Sequence, residues 1–334
     1  MHKLLVICVP TATGKTSLAI HLAKKFSPKG RPASGWNGEL ISADSRQVYK
    51  GMDIGTGKEL PVNSKLKIKN LKLGKKRIGF YEIRGIRVWG YDLVDPKEEF
   101  SVAQYVKFAD KIIKNIGKRG KLPILVGGTG LYIKAVVDGI PTAVIPKSIS
   151  LRKKYKNKSV RELQDILGKL DSFKLSSMNV SDRKNPRRLV RAIEIAKWML
   201  EVGSKKLEKS RKYEGDSVLF IGLTASREFL ENRIDKRVEE RIRSDVEDEI
   251  KNLLKFGIKW NSQAMQSLGY KQWFRYFNKE KTLKEIVDDW LRAEKNYAKR
   301  QMTWFKKDER INWFDITKPN WEEDVEDLVK KWYI

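Results

Sequence analysis

An apolar run, Leu4-Leu5-Val6-Ile7-Cys8, leads without a break into Val9-Pro10-Thr11-Ala12-Thr13-Gly14-Lys15-Thr16 and then into Ser17-Leu18-Ala19-Ile20-His21-Leu22-Ala23-Lys24. The order is strand, turn, helix, which is how an open parallel α/β sheet begins. The eight residues of the turn end in Gly-Lys-Thr, the tail of a phosphate-binding loop. In such a loop successive backbone N–H groups converge on phosphate oxygens at a helix N-terminus. Thr11, Ala12, Thr13, Gly14, Lys15 and Thr16 are therefore the candidate phosphate cradle. Lys15 adds a charge that can follow a phosphate through its reaction, and the Thr16 hydroxyl can ligate Mg²⁺. Val9 stands where the usual pattern opens with Gly, so the start of the loop is expected to be looser or shifted.

Two further segments belong on the same sheet edge. Glu39-Leu40-Ile41-Ser42-Ala43 reads as a short strand ending at Asp44, after a turn-rich stretch from Ser27 to Gly38. Ligands of open parallel sheets sit beyond the carboxyl ends of the strands. Asp44 thus faces the phosphate site, as a metal contact, a general base or a helix cap. Leu122-Pro123-Ile124-Leu125-Val126 is another strand, and it breaks at Gly127-Gly128-Thr129-Gly130. Those glycines let the backbone approach a ligand, and Thr129 offers a hydroxyl there. Between the two, residues 65 to 89 read as one or two β-hairpins with a basic, solvated face. Ser101 reads as the cap of a helix reaching Ile116.

From Gly139 the strand signal disappears until Val218-Leu219-Phe220-Ile221-Gly222-Leu223. The interval reads helical over Arg161–Leu170 and Asn185–Met199. A basic turn carrying Lys205, Lys206, Lys209, Arg211 and Lys212 closes it. An ordinary crossover needs far fewer residues. The expected fold is a P-loop-type α/β parallel sheet flanked by helices, formed by 1–139 and 214–334. A helical inserted subdomain spans 140–213, and the C-terminal part is helical. Arg227 to Leu254 reads as one or two helices and Gln263 to Lys271 as a polar turn. Leu283 to Lys306 is a helix with a core stripe of Ile286, Trp290, Ala293, Tyr297, Gln301 and Trp304. Its neighbouring face carries Arg292, Lys295, Lys299 and Lys306, a candidate for RNA phosphates. Trp313, Trp321 and Trp332 in the tail read as packing plus a last helix.

Charge narrows the partner. There are 70 Lys and Arg against 42 Asp and Glu, a net charge of +28. A small-molecule kinase does not need this; a polyanion such as nucleic acid is the natural partner. No apolar stretch approaches the roughly 20 residues that span a membrane, and Leu4 to Val9 is too short for a signal peptide. The single cysteine, Cys8, reads as a core residue of a chain kept in a reducing cytoplasm.

Taken in order, the motifs resemble those of the tRNA dimethylallyltransferases, also called tRNA isopentenyltransferases. The matching pieces begin with Pro10 to Thr16, Ser42-Ala43-Asp44-Ser45, Val48 to Thr56 and Gly127 to Tyr132. Pro186-Arg187-Arg188 with Arg191 to Glu194, Arg233 with Arg237, Gln266 to Lys271, and Tyr297 to Gln301 with Thr303-Trp304-Phe305 complete the set. The resemblance implies transfer of a dimethylallyl group from its diphosphate to N6 of the tRNA adenosine 3′ to the anticodon. The loop would then hold a diphosphate leaving group, with Mg²⁺ on Thr16. Asp44 would accept the amino proton, Thr129 would position the base or the carboxylate, and Arg233 and Arg237 would sit near the diphosphate. By the same resemblance Asp44, Ser45, Arg46 and Gln47 would contact tRNA. So would Asn185, Pro186, Arg187, Arg188 and Leu189, and Gln266, Ser267, Leu268, Gly269, Tyr270 and Lys271. The insertion would grip the anticodon stem-loop, and the enzyme would act as a monomer. Tyr91-Asp92 departs from the family's usual His-His pair, and the hairpin region is longer than usual. A prenyltransferase for free adenine nucleotides, a P-loop kinase and a non-catalytic RNA-binding protein remain the competing readings.

Overall fold

The computed structural model describes residues 3–25, 38–61, 64–74, 76–203 and 213–333. The turn-rich stretch before Gly38 and the basic turn at 205–212 lie outside the described residues. The chain divides into two compact units, Met1–Val137 with Lys212–Ile334, and Asp138–Arg211.

The larger unit is built on one eight-stranded sheet. Its strands in chain order are β1 (Leu4–Cys8), β2 (Gly38–Ser42), β3 (Lys67–Leu73), β4 (Lys76–Ile83), β5 (Ile86–Trp89), β6 (Leu122–Gly127), β7 (Val218–Thr224) and β8 (Ile311–Asp315). In space they lie in the order β3-β4-β5-β2-β6-β1-β7-β8. The six from β5 to β8 are parallel, and β3 and β4 add an antiparallel meander at one edge. β1, β2 and β6 are buried along their whole length, as expected for strands covered by helices on both faces. The hairpins read from residues 65–89 thus supply β5, a member of the parallel array. β8 is a strand where the sequence suggests only packing. It has five residues and no apolar alternation, so its register on β7 is what defines it.

The helices of this unit are α1 (Lys15–Lys25), α2 (Val102–Lys118) and α3 (Gly130–Val137) before the insertion. The insertion contributes α4 (Ile149–Lys154), α5 (Val160–Leu170), α6 (Ser172–Ser177), α7 (Val180–Arg183) and α8 (Pro186–Val202). After it come α9 (Arg227–Arg243), α10 (Val246–Lys255), α11 (Trp273–Phe277), α12 (Leu283–Phe305) and α13 (Trp321–Tyr333). Ser101 caps α2 in a reciprocal capping box with Gln104. The long helical stretch after β7 breaks at Asp245, a non-glycine residue at φ +58° between α9 and α10. On α12 the buried stripe is Ile286, Trp290, Glu294, Ala298, Gln301 and Phe305. That stripe corrects the expected one. Tyr297 instead borders the cleft described below, and Trp304 is 47% exposed.

The insertion has its own core, in which Leu163 and Leu167 of α5 meet Leu189 and Ile193 of α8. The side chain of Asn185 accepts from the amides of Arg187 and Arg188, and Pro186 occupies the first turn, so α8 starts there. Glu194, buried on α8, is held by Arg152 at 2.7 Å and Arg191 at 3.1 Å.

Candidate active site

Parallel register brings the carboxyl ends of β2, β6 and β1 side by side: Ser42 pairs with Val126, and Gly127 with Cys8. The chain leaves each strand there and turns over the same sheet edge. A cleft of about 1110 Å³ lies over that edge. It is bordered by Thr11, Ala12, Gly14, Lys15 and Thr16, by Asp44 to Gln47, by Asp53 to Glu59, and by side chains of α9 and α12. Nine lysines and arginines against five carboxylates border it, so the site favours an anion.

The loop after β1 is held in a defined shape. Val9 is fully buried and has φ +107°, a conformation that favours glycine. Valine takes a backbone conformation that glycine would adopt freely, at a cost of about 1–3 kcal/mol. Thr13 is also buried, and its hydroxyl donates to the Pro10 carbonyl at 3.0 Å. Lys15 Nζ donates to the same carbonyl at 2.6 Å, so the lysine folds over its own loop. Burial, and after it the charge of Arg237, push the Lys15 ammonium down to about 8.

Gln301, buried on α12, ties this loop to the second turn. Its Oε1 accepts from the Thr11 amide at 3.0 Å and its Nε2 donates to the Gly128 carbonyl at 2.9 Å. A Cβ on Gly128 would stand 2.0 Å from that Nε2, so any other residue there would displace the Gln301 amide.

Asp44 accepts from the amides of Arg46 and Gln47 through Oδ1, at 2.7 and 3.3 Å. These bonds close a turn at residues 45–48 and cap no helix; Oδ2 carries no hydrogen bond among the described residues. Thr129 does not border the cleft. Its Oγ1 accepts from the Ser45 amide at 3.1 Å and its amide donates to Ala43 O at 3.2 Å. It acts on Asp44 through the backbone that carries it. Tyr297 reaches the Thr129 side chain, and burial together with the Asp44 charge raises its phenol, which stays protonated.

Arg237 donates to the Thr11 hydroxyl and, at 3.4 Å, to Gly57 O. Arg233, one turn earlier on α9, is exposed. It lies over the Phe229 ring at 5.7 Å and its guanidinium comes within 4.0 Å of where a Gly14 Cβ would be. Both arginines thus border the phosphate loop. Sequence reasoning misses Glu249 of α10. Its carboxylate accepts from the amides of Asp53, Ile54 and Gly55 at 2.7, 2.8 and 3.1 Å and from the Tyr270 hydroxyl at 2.5 Å. No motif announces it, because three of its four partners are backbone amides about 195 residues away in the chain.

The candidate tRNA residues divide into open and occupied groups. Arg46, Gln47, Gln266, Leu268 and Lys271 border the cleft, although Arg46 also donates to Gln263 O at 2.9 Å. Ser45 borders it as well, with its amide committed to Thr129. Ser267 and Tyr270 are buried, and Gly269 at φ +84° packs against Trp290 and Gly55, so these three shape the turn from inside. Leu189 is likewise core and not surface, whereas Arg187 and Arg188 of the insertion are exposed, Arg188 paired with Asp182. On α12, Arg292 pairs with Asp289 and Lys295 with Asp235, which leaves the exposed Lys299 and Lys306 without an ion pair among the described residues.

A magnesium ion fits this donor set. Among the described residues no group of three His, Cys, Asp or Glu could form a protein cage. The cleft instead offers the Thr16 hydroxyl and the Asp44 carboxylate. Mg²⁺ is commonly held by one or two such oxygens together with substrate phosphates and water.

The profile of the family described as "IPP transferase" matches residues 47–308. The chain belongs to the IPP transferase family. Its relatives in this family include a tRNA dimethylallyltransferase of Anoxybacillus flavithermus, 36% identical over 316 residues, covering 95% of this chain and 91% of the relative. One of Halothermothrix orenii is 38% identical over 338 residues, covering 98% and 92%. The crystal structure of a tRNA isopentenylpyrophosphate transferase from Bacillus halodurans superposes with a TM-score of 0.67 at 33% identity, covering 100% of this chain and 97% of that one. In this IPP transferase family member, Asp92 pairs with the buried Lys58 and accepts from the Tyr81 hydroxyl. Lys58 Nζ also reaches Asp53 at 2.6 Å and Tyr49 O at 2.7 Å. The departure at Tyr91-Asp92 is therefore part of the support beneath the Asp53–Lys58 loop.

Proposed function

We infer that this protein transfers a dimethylallyl group from dimethylallyl diphosphate to N6 of the adenosine 3′ to the tRNA anticodon. The observation that carries the reading is the shared cleft. A carboxylate with one oxygen unbonded among the described residues, Asp44, borders the same cleft as a phosphate loop flanked by Lys15, Arg233 and Arg237. A P-loop kinase also uses such a carboxylate, as a metal contact or a base, so it is membership of the IPP transferase family that weighs against that reading. The allylic C–O bond breaks and its electron pair leaves on the diphosphate, where the loop amides, Lys15 and the two arginines meet the developing charge. The C–N6 bond forms, and the amino proton passes to Asp44 Oδ2. Mg²⁺ held on Thr16, when bound, neutralises diphosphate charge. The adenosine must leave its stack to reach the cleft, so the acceptor enters as a flipped base. The surplus of basic side chains suits tRNA in the cytoplasm as the acceptor. No described helix is long and apolar enough to cross a membrane.

The test is an acceptor assay with Mg²⁺ and dimethylallyl diphosphate. Unmodified tRNA is expected to be prenylated and AMP not. Comparable transfer to AMP would select the free-nucleotide reading instead. Asp44→Asn is expected to keep tRNA binding and lose about 10²–10⁴ in turnover; unchanged turnover would remove Asp44 as the base.

A further inference from the structure

Arg241 of α9 and Glu294 of α12 both border the cleft, yet each is more than nine-tenths buried. Arg241 Nη1 donates to Glu294 Oε1 at 3.0 Å, and Trp290 Nε1 donates to the same oxygen at 3.2 Å. The guanidinium also lies against the Trp290 ring, 5.8 Å from its centroid. Its Nε is buried with no hydrogen-bond partner among the described residues. Arg237 is the next arginine along the same face of α9. A Cβ on Gly57 would stand 2.4 Å from Nη2 of both arginines, so the two guanidinium groups meet over that one glycine. The Arg237 guanidinium is pushed down to about 10, first by burial and then by the charge of Arg241, with Glu294 opposing the shift. Two cations packed together out of water repel each other unless a counter-charge is present, and Glu294 supplies it through Arg241.

We propose that Arg241 is a further anion-binding residue of the diphosphate site and that Glu294 is the positioning counter-ion that sets how tightly this site holds diphosphate. The proposal rests on the diphosphate reading given above. Arg237 bonds directly to the phosphate-loop residue Thr11, so the charge gathered over Gly57 acts at the loop. With Glu294 in place, part of that charge is neutralised and diphosphate can leave after transfer. Without it, the arginine pair would bind the departing diphosphate too well.

The test is a double-mutant cycle read by inorganic diphosphate affinity, by calorimetry with Mg²⁺ present, on full-length protein. Each variant's thermal midpoint is measured alongside. Glu294→Gln keeps the shape of the side chain and removes its charge. It is expected to bind diphosphate about tenfold more tightly and to show stronger product inhibition, with a lower kcat. Arg241→Met is expected to bind about tenfold more weakly. The double variant restores the charge balance and is expected to return to within about threefold of the unmodified protein. Opposite signs in the two single variants would not come from a structural role, because loss of structure weakens binding in both. Glu294→Gln binding diphosphate as weakly as Arg241→Met, or no differently from the unmodified protein, would overturn the proposal. If either single variant does not fold, the double variant decides: affinity near that of the unmodified protein supports charge balancing, and a large loss refutes it. Failure of the unmodified protein to bind diphosphate at all would instead overturn the diphosphate reading itself.

Discussion

Lys15 is the residue whose protonation most directly couples the cleft to pH. Burial and Arg237 hold its ammonium near 8, below an ordinary lysine. Below about pH 8 it is charged and attracts the donor. Above that it is neutral in the free enzyme, so kcat/KM for dimethylallyl diphosphate is expected to fall as pH rises through about 8. Its contribution to stability has the opposite sign. Between about 8 and the unfolded value near 10.4 the unfolded chain binds the extra proton, so the Lys15 term favours the folded state more as pH rises. A pH–rate profile beside a pH series of urea midpoints checks both. A profile flat to pH 9 would show that the free enzyme does not lose this charge. Glycines make the other residue-scale demand. Gly269 has φ +84° and a Cβ there would come 2.7 Å from Trp290 and 2.9 Å from Gly55 O, so Gly269→Ala strains the turn twice.

At the scale of elements, the site is four turns held by helices that arrive late in the chain. Glu249 holds the Asp53–Gly55 turn by three amide hydrogen bonds, and removing it leaves donors without partners. Glu249→Ala is expected to destabilise the protein by about 2–4 kcal/mol and to raise KM for the donor, since that turn borders the cleft. Urea unfolding and steady-state kinetics read the two effects. The central strands β1, β2, β6 and β7, the phosphate loop and the capped start of α2 were legible because each is specified by neighbours in the sequence: an apolar run, Gly-Lys-Thr, Ser101 with Gln104. Glu249, Gln301 and Arg241 were not legible as a support system, because their partners are tertiary. The α12 stripe shows the same limit. Helical spacing identified Ile286, Trp290 and Gln301, but the core turns toward Glu294, Ala298 and Phe305 and away from Ala293, Tyr297 and Trp304. Val9 shows a further one: its positive φ is not visible in the residue type, because a buried environment holds a conformation that valine rarely takes.

For the whole molecule, the net charge of +28 is the dominant long-range term. Affinity for tRNA is expected to fall steeply with salt. Each phosphate contact contributes about −0.7 to −0.9 to the slope of log K against log salt. Arg187→Ala, at an exposed position in the insertion, is expected to reduce that slope by about one contact while leaving donor KM unchanged. An unaltered slope would remove Arg187 from the RNA interface. The order of the strands has a consequence for synthesis. β1 is made first but lies in the middle of the sheet, between β6 and β7, and the loop that follows it is clamped by Gln301. A chain emerging from the ribosome therefore carries its phosphate loop long before it carries the residues that shape it. Competence to bind diphosphate should arise as a late step of translation, after residue 301 has left the exit tunnel. Chains stalled before α12 should retain no such binding.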